Sequence, residues 1–311
     1  MRTNPAINLV VVCGTTASAK TTLGVRIARE LGGEIISVDS RQVYRGMDLG
    51  TGKDLGEYQG EWGSVAYHLI DIVDPSTVYT LHQYQHDFYS AFADIGARGK
   101  MPVAVGGTGL YLEAAIKGYH IPQTPENEAL RDELMLVDKN ELIARLERID
   151  PDRLSKTDIS SKKRIVRSLE VALSAVPNAS THQPHPEIQP LVFCVRWERS
   201  LLRERIRERL KQRLEAGMVD EVKRLVDQGI SRKRLAMLGL EYRHVARFLS
   251  SEVSFETMVE ELGTAIGQFA KRQETWFRGM ERRGTPVHWI DNAEWTGVEA
   301  ILREEGLLKG R

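Results

Sequence analysis

Two apolar rhythms alternate along the chain. INLVVVC (Ile7 to Cys13) is an unbroken, β-branched apolar run of buried-strand length, and LGVRIARELGG (Leu23 to Gly33) follows with helical apolar spacing closed by a glycine pair. EIISVDSRQVY reads as a second strand that ends in a polar turn at Asp39 and Ser40. YHLIDIVDP (Tyr67 to Pro75) is a third apolar run stopped by proline, YTLHQYQHDFYSAFADIGARG an amphipathic helix ending in glycine, and MPVAVGGTGLYLEAAIKG a strand, a glycine turn and a helix. Strand alternating with helix predicts an α/β fold with a doubly wound parallel sheet. From about Pro122 to Ala175 the pattern is helical and strand-poor, which predicts an inserted helical subdomain. The expected layout is a core in two parts, residues 1–121 and 181–311, around an insertion at 122–180. In the second part LVFCVRWE returns a strand to the sheet after the proline-rich loop PNASTHQPHPEIQP. Long helices span Arg199 to Gln228 and Phe255 to Arg278, and VHWID is the candidate last strand.

The first strand and helix enclose CGTTASAKTT, which approaches the phosphate-loop (P-loop) pattern G-x-x-x-x-G-K-[ST]. In that pattern backbone N–H groups wrap a phosphate, the lysine reaches its outer oxygens and the hydroxyl holds Mg²⁺. Gly14, Lys20 and Thr21 fit it, and Lys20 and Thr21 would open a helix whose free N–H groups and dipole favour an anion. Ala19 stands where glycine is expected. If that position requires φ > 0, its Cβ costs about 1–2 kcal/mol. Asp39, at the carboxyl end of the second strand, falls in the crevice where open α/β sheets bind ligands. An NTPase also needs a strand ending in a Mg²⁺-holding acid. The nearest candidate is Asp71 in YHLID, while PVAVGG ends in glycines, so the loop is expected to hold a diphosphate ester that is not hydrolysed for work.

At 311 residues and 41% hydrophobic content the chain can form one large domain or two modest ones with proper cores. Its 43 basic and 43 acidic residues cancel, but unevenly: Glu30 to Ala97 holds 3 Lys/Arg against 11 Asp/Glu, and Arg196 to Arg247 holds 15 against 8. The basic half reads either as a nucleic-acid surface or as a solvated helix face whose Arg/Glu pairs at i, i+4 neutralise each other. No signal-peptide pattern and no apolar stretch of spanning length is present, so a cytoplasmic, soluble protein is expected. Cys13 and Cys194 lie in apolar runs and are expected to be buried thiols. The eight histidines show no ligand spacing, and His182 and His185 are expected to be exposed in the proline-rich loop.

DSRQVYRGMDLGT (Asp39 to Thr51), HLIDIVDPSTVYTLHQY (His68 to Tyr84) and VGGTGLYLEAAIKG (Val105 to Gly118), with GLEYR (Gly239 to Arg243) and QFAKRQETWFRG (Gln268 to Gly279), resemble in order the signature blocks of the tRNA dimethylallyltransferases. The resemblance spans roughly Ile7 to Asp291. It implies transfer of a dimethylallyl group from its diphosphate to the N6 amino group of the adenosine 3′ of the anticodon in tRNA, with Mg²⁺ as cofactor. It further implies Asp39 as general base, Lys20 and Thr21 as catalytic residues with Thr21 on the metal, and a diphosphate held by Gly14, Thr15, Thr16, Ala17, Ser18, Ala19, Lys20, Thr21, Arg205 and Arg209. The alternative for Asp39 is a capping carboxylate at the turn; for Arg205 and Arg209 it is an ordinary salt-bridged helix.

RNA contacts are implied for Asp39, Ser40, Arg41, Gln42, Thr108, Arg131, Lys163, Arg164, Arg167 and Arg243, on an anticodon stem-loop as partner. Trp276 and Phe277 have the character to receive an extruded base, against the alternative of core packing. Three other readings stand beside this one: an adenylate isopentenyltransferase acting on free AMP, ADP or ATP, a small-molecule kinase, and an RNA-binding relative weakened by Ala19. A monomer is expected.

Overall fold

The computed structural model describes residues 6–60, 63–122, 124, 126–174 and 185–308. By contacts the chain divides into a larger unit, Met1–Tyr119 with Pro186–Arg311, and a smaller one, His120–His185.

The larger unit opens with β1 (Leu9–Gly14), α1 (Lys20–Glu30) and β2 (Glu34–Ser37). A short hairpin, β3 (Gln59–Gly60) and β4 (Gly63–Ser64), precedes β5 (Tyr67–His68), α2 (Leu81–Ala97), β6 (Pro102–Gly106) and α3 (Gly109–Lys117). The smaller unit holds α4 (Glu128–Leu136), α5 (Lys139–Ile149), α6 (Pro151–Ser155) and α7 (Lys162–Leu173). The larger unit then resumes with β7 (Pro190–Arg196), α8 (Arg199–Glu215), α9 (Met218–Asp227), α10 (Arg232–Leu238), α11 (Leu240–Leu249), α12 (Phe255–Arg282), β8 (His288–Asp291) and α13 (Trp295–Glu304).

Among the described residues six strands form one parallel sheet in the order β5-β2-β6-β1-β7-β8. Strand alternation decides what covers each face. Leu9, Val11 and Cys13 of β1 turn to a core shared with α2, α3 and α12, whereas Val10 and Val12 turn to one shared with α1 and α13. Helices on both faces make the sheet doubly wound, and a strand buried on both sides explains why INLVVVC has no polar alternation. Cys13 and Cys194 sit opposite each other in register, both buried and unbridged, and burial pushes the Cys194 thiol up.

The smaller unit has its own apolar core of Leu134, Leu142, Leu146, Ile165, Val166 and Leu169. Asn127, Asp138 and Asp150 start three of its helices by accepting from the N–H groups of Leu130, Asn140 and Arg153.

Two elements depart from the sequence reading. The run from Tyr67 to Pro75 forms only a two-residue edge strand, because Leu69 and Asp71 take left-handed conformations (φ 62° and 57°) that turn the chain toward the 43–45 loop. The helical stretch Arg199 to Gln228 is broken at Gly217, φ 98°, into α8 and α9. Asp71 is committed elsewhere: with Asp48 it ion-pairs the buried Lys53, which also donates to Tyr44 O at 2.8 Å. His182 lies outside the described residues. Among the described residues no helix is long and apolar enough to cross a membrane.

Candidate active site

The carboxyl ends of β1, β2 and β6 open onto one cleft of about 1410 Å³ in the larger unit. Its first wall is the loop from Thr15 to Ala19, carried between β1 and α1. Ala19 has φ 64°, ψ 24°, so the position does require the left-handed region, and Ala17 at φ 59° does likewise. Two Cβ groups are thus held in a conformation that glycine adopts at no cost. Gly14 has no such freedom to lose: a Cβ there would stand 2.9 Å from both Ser18 Oγ and Val195 O.

The loop is tied from outside rather than by itself. Gln273 of α12 accepts from Thr16 N at 2.8 Å and donates through Nε2 to Gly107 O at 2.9 Å. Arg205 Nε donates to Ala17 O at 2.9 Å, and Trp197 Nε1 to Ser18 O at 3.0 Å, with the Arg205 guanidinium 4.1 Å over the Trp197 ring. Lys20 Nζ donates to Thr15 O at 3.1 Å. The hydroxyls of Thr15 and Ser18 are buried and without a hydrogen-bond partner among the described residues. Ala19 offers no side-chain cap to α1, so the first amides of that helix keep their anion-binding capacity.

The second wall is built from the turns after β2 and β6. Asp39 Oδ1 accepts from Arg41 N at 2.8 Å and Gln42 N at 3.4 Å, while Ser40 N donates to Thr108 Oγ1 at 3.2 Å. Gln42 accepts from Ser37 Oγ at 2.9 Å and donates to Gly52 O at 3.1 Å, which leaves its second N–H uncommitted among the described residues. The glycines of GGTG allow this closeness. A Cβ on Gly106 would overlap Val38 O, one on Gly107 would come within 2.5 Å of Gln273 Nε2, and one on Gly109 would overlap the Trp276 ring.

Charge is concentrated at the α8 side. Arg209 ion-pairs Asp54, and Arg213 stands 4.0 Å from the same carboxylate. Burial, helped by the nearby Arg209 guanidinium, pushes the Lys20 ammonium down to about 8. Burial likewise raises the Glu57 carboxyl, which accepts from Thr22 Oγ1 at 2.9 Å.

The cleft thus gathers Thr16 to Thr21, Asp39 to Gln42, Thr108, Arg205, Arg209 and Arg243. Arg131, Lys163, Arg164 and Arg167 belong to the smaller unit. There Arg131 and Arg167 share the buried Glu170 carboxylate, at 2.8 and 2.5 Å, Arg164 pairs with Asp158, and Lys163 is exposed. Trp276 lines the cleft, whereas Phe277 is buried in the core, as the packing alternative expected. Gln273, Trp197 and Asp54 are cleft residues that the sequence reading missed. Gln273 was within reach, since it lies inside the block Gln268 to Gly279; for Trp197 and Asp54 no local signal exists. Among the described residues no three His, Cys, Asp or Glu side chains gather as a metal site, and the Thr21 hydroxyl is one of several loop hydroxyls along the cleft.

The IPP transferase family model matches residues 42–280. A protein of Syntrophotalea carbinolica named tRNA dimethylallyltransferase 2 is 49% identical over 286 residues, 92% of this chain and 95% of its own length. A tRNA dimethylallyltransferase 1 of Geotalea uraniireducens is 50% identical over 284 residues, 91% and 92% of the two chains. The crystal structure of a tRNA isopentenylpyrophosphate transferase of Bacillus halodurans is similar with TM-score 0.68 and 32% identity, covering 96% of this chain and 94% of that one.

Proposed function

This chain belongs to the IPP transferase family of prenyl-transferring enzymes, and on that premise we propose that it transfers a dimethylallyl group from dimethylallyl diphosphate to N6 of the adenosine 3′ of the anticodon in tRNA. One observation carries the reading: a phosphate loop that includes the unpartnered buried Ser18 hydroxyl and a carboxylate fixed at Asp39 line the same cleft.

In the proposed reaction the allylic C1–O bond breaks as the N6–C1 bond forms, and the charge of the departing diphosphate grows. The amides of Ala17 to Thr21, the Ser18 hydroxyl and Lys20 meet that charge, with Arg205 and Arg209 behind them. The adenine amino group is a weak nucleophile because its lone pair is delocalised into the ring. Asp39 takes the N6 proton: Oδ1 is held by the 41 and 42 amides, and Oδ2, which has no hydrogen-bond partner among the described residues, is the oxygen available for it. The capping role and the catalytic role are therefore compatible in one carboxylate. When bound, Mg²⁺ would supply Lewis-acid neutralisation of the diphosphate, and the chain would hold it through Thr21 Oγ1.

Reaching N6 requires an extruded base. Ser40, Arg41, Gln42, Thr108 and Arg243 are assigned to the acceptor nucleotide and its neighbours, and Trp276 to its ring. Arg131, Lys163, Arg164 and Arg167 are assigned to the RNA backbone.

The test is incubation with Mg²⁺, dimethylallyl diphosphate and an unmodified anticodon stem-loop, with AMP in a parallel tube, followed by mass spectrometry of both acceptors. Addition to the RNA alone is expected. Addition to AMP alone would replace the proposal by nucleotide prenylation.

A further inference from the structure

A cleft fitted to hold an anion carries a carboxylate of its own. Asp54 faces the basic residues of α8 and lines the same cleft as the phosphate loop. Its Oδ2 ion-pairs Arg209, and its Oδ1 stands 4.0 Å from Arg213 Nη2, which is buried with no hydrogen-bond partner among the described residues.

The backbone places that carboxylate firmly. The buried Glu221 carboxylate of α9 accepts from the N–H groups of Asp48, Leu49 and Gly50 at 2.9, 2.8 and 3.0 Å, and from Tyr242 Oη at 2.6 Å. Lys53, immediately before Asp54, is fully buried among Asp48, Asp71 and the Tyr44 carbonyl. Gly52 lies directly against the arginines: a Cβ there would overlap Arg213 Nη2 and come within 2.9 Å of Arg209 Nη2. Asp54 itself sits at φ 46°, ψ 46°, a left-handed conformation that Asp and Asn tolerate, and its side chain makes no cap bond to the turn Leu55–Tyr58. The carboxylate is therefore held in place without being spent on the backbone.

The charges around it say what it is for. Lys20, Arg209 and Arg213 lie within one another's field, and Asp54 acts on both Lys20 and Arg213. Glu57, the other carboxyl of this wall, is bonded to Thr22. Asp54 is thus the protein's own counter-ion for the cluster, without which half-buried guanidinium groups repel at a cost. A phosphate oxygen makes the same charge-assisted bonds to a guanidinium as a carboxylate does, so the two compete for one arginine.

Resting on the prenyl-transfer reading above, we propose that Asp54 is an exchangeable counter-ion: it holds Arg209 until the second phosphate of a diphosphate takes its place, and reclaims Arg209 as the diphosphate product leaves. The loop amides and Lys20 serve the first phosphate, and only the second meets Asp54 as a competitor. The residue acts through Arg209, giving up donor affinity in return for release of the product.

The probe is inorganic diphosphate, with orthophosphate as the single-phosphate control. Each is titrated calorimetrically into the native protein, Asp54→Asn and Asp54→Gly at about pH 6.5, well below the Lys20 value of about 8. Asn tolerates the left-handed backbone and Gly adopts it freely, so the loop keeps its path in at least one variant. Both variants are expected to bind diphosphate about fivefold more tightly, the upper range for a partly exposed ion pair. Its dissociation, followed by stopped flow, should slow in proportion. Orthophosphate affinity should change by less than about twofold, the difference that separates exchange at Arg209 from a general gain in charge.

Weaker or unchanged diphosphate binding in both variants overturns the exchange and makes Asp54 a fixed support for Arg209. An equal gain for both anions also overturns it, leaving only a general charge effect. No prenyl chemistry enters the titration, so the exchange can fail while prenyl transfer stands. Failure of the native protein to bind diphosphate sinks the phosphate-loop reading itself, and the counter-ion role falls with it.

Discussion

The two walls of the cleft are finished to different degrees. On the Asp39 side, the groups that shape the turn are matched and Asp39 Oδ2 is left over among the described residues: Asp39 Oδ1 to the 41 and 42 amides, Ser40 to Thr108, Gln42 to Ser37 and Gly52. On the phosphate-loop side, the carbonyls of Thr15, Ala17 and Ser18 are held by Lys20, Arg205 and Trp197, but two hydroxyls stay buried without partners and two alanines sit at φ near 60°. A saturated wall holds its geometry before substrate arrives, which suits a proton acceptor that must stand within hydrogen-bond reach. An unsaturated wall can gain its missing bonds from an anion, which is the role the proposed function gives to the donor diphosphate.

Breaking the saturated wall at its functional atom should give the largest effect. Asp39→Asn keeps an oxygen for the 41 and 42 amides but cannot take a proton, so turnover should fall by about 10²–10⁴ with donor affinity little changed. Single-turnover rates and donor titration read the two quantities separately. A variant that lowers affinity and leaves turnover intact would return Asp39 to a capping role alone.

Proton linkage probes the unsaturated wall next. Burial lowers Lys20 to about 8, so its charge is present below that pH and is lost as pH rises through it. Donor kcat/KM should therefore fall above about pH 8, approaching tenfold per unit where the ammonium is required. In Lys20→Arg the decline should vanish from that range, because arginine keeps its charge. A native profile flat to pH 10 would contradict the assignment.

Gln273 joins the walls, and Gln273→Leu strands Thr16 N and Gly107 O together. Unfolding stability should drop by about 2 kcal/mol and donor KM should rise several-fold, measured by denaturant titration and steady-state kinetics.

Ala19→Gly gives the smallest change and sharpens the contrast instead of erasing it. Removing a Cβ at φ 64° should tighten donor binding about fivefold, equivalent to about 1 kcal/mol, with turnover unaffected. Isothermal titration with the donor reads it directly. No difference would mean that the loop already accommodates alanine without cost.

How much of this could be read beforehand depended on how far apart the partners lie. The strand, loop and helix from Ile7 to Gly33 were legible because their periodicity and turn chemistry are local. Asp39 and the GGTG turn were legible as positions, at the ends of apolar runs. The bonds that fix the loop were not: Thr16 meets Gln273 across 257 residues, and Ala17 meets Arg205 across 188. Such pairs exist only once β1, β7 and α12 are stacked in their observed order, which no window along the chain contains.

The arginines show the same limit in charge. Arg131 and Arg205 look alike in sequence, yet one is paired to the buried Glu170 and the other holds a loop carbonyl. The break at Gly217 was visible as a glycine but not as a break, because a lone glycine inside a helical pattern is often tolerated.

The meeting of GGTG with α12 constrains how this protein can change over generations. A Cβ on Gly107 would meet Gln273 Nε2 at 2.5 Å, and one on Gly109 would overlap the Trp276 ring, so each requires the facing side chain to move. A mutation that enlarges Gly107 displaces the Gln273 amide from Thr16 N and Gly107 O, and shrinking Gln273 first unties the loop in the same way. The two segments can drift only as a pair, and the route between viable pairs passes through a disabled intermediate.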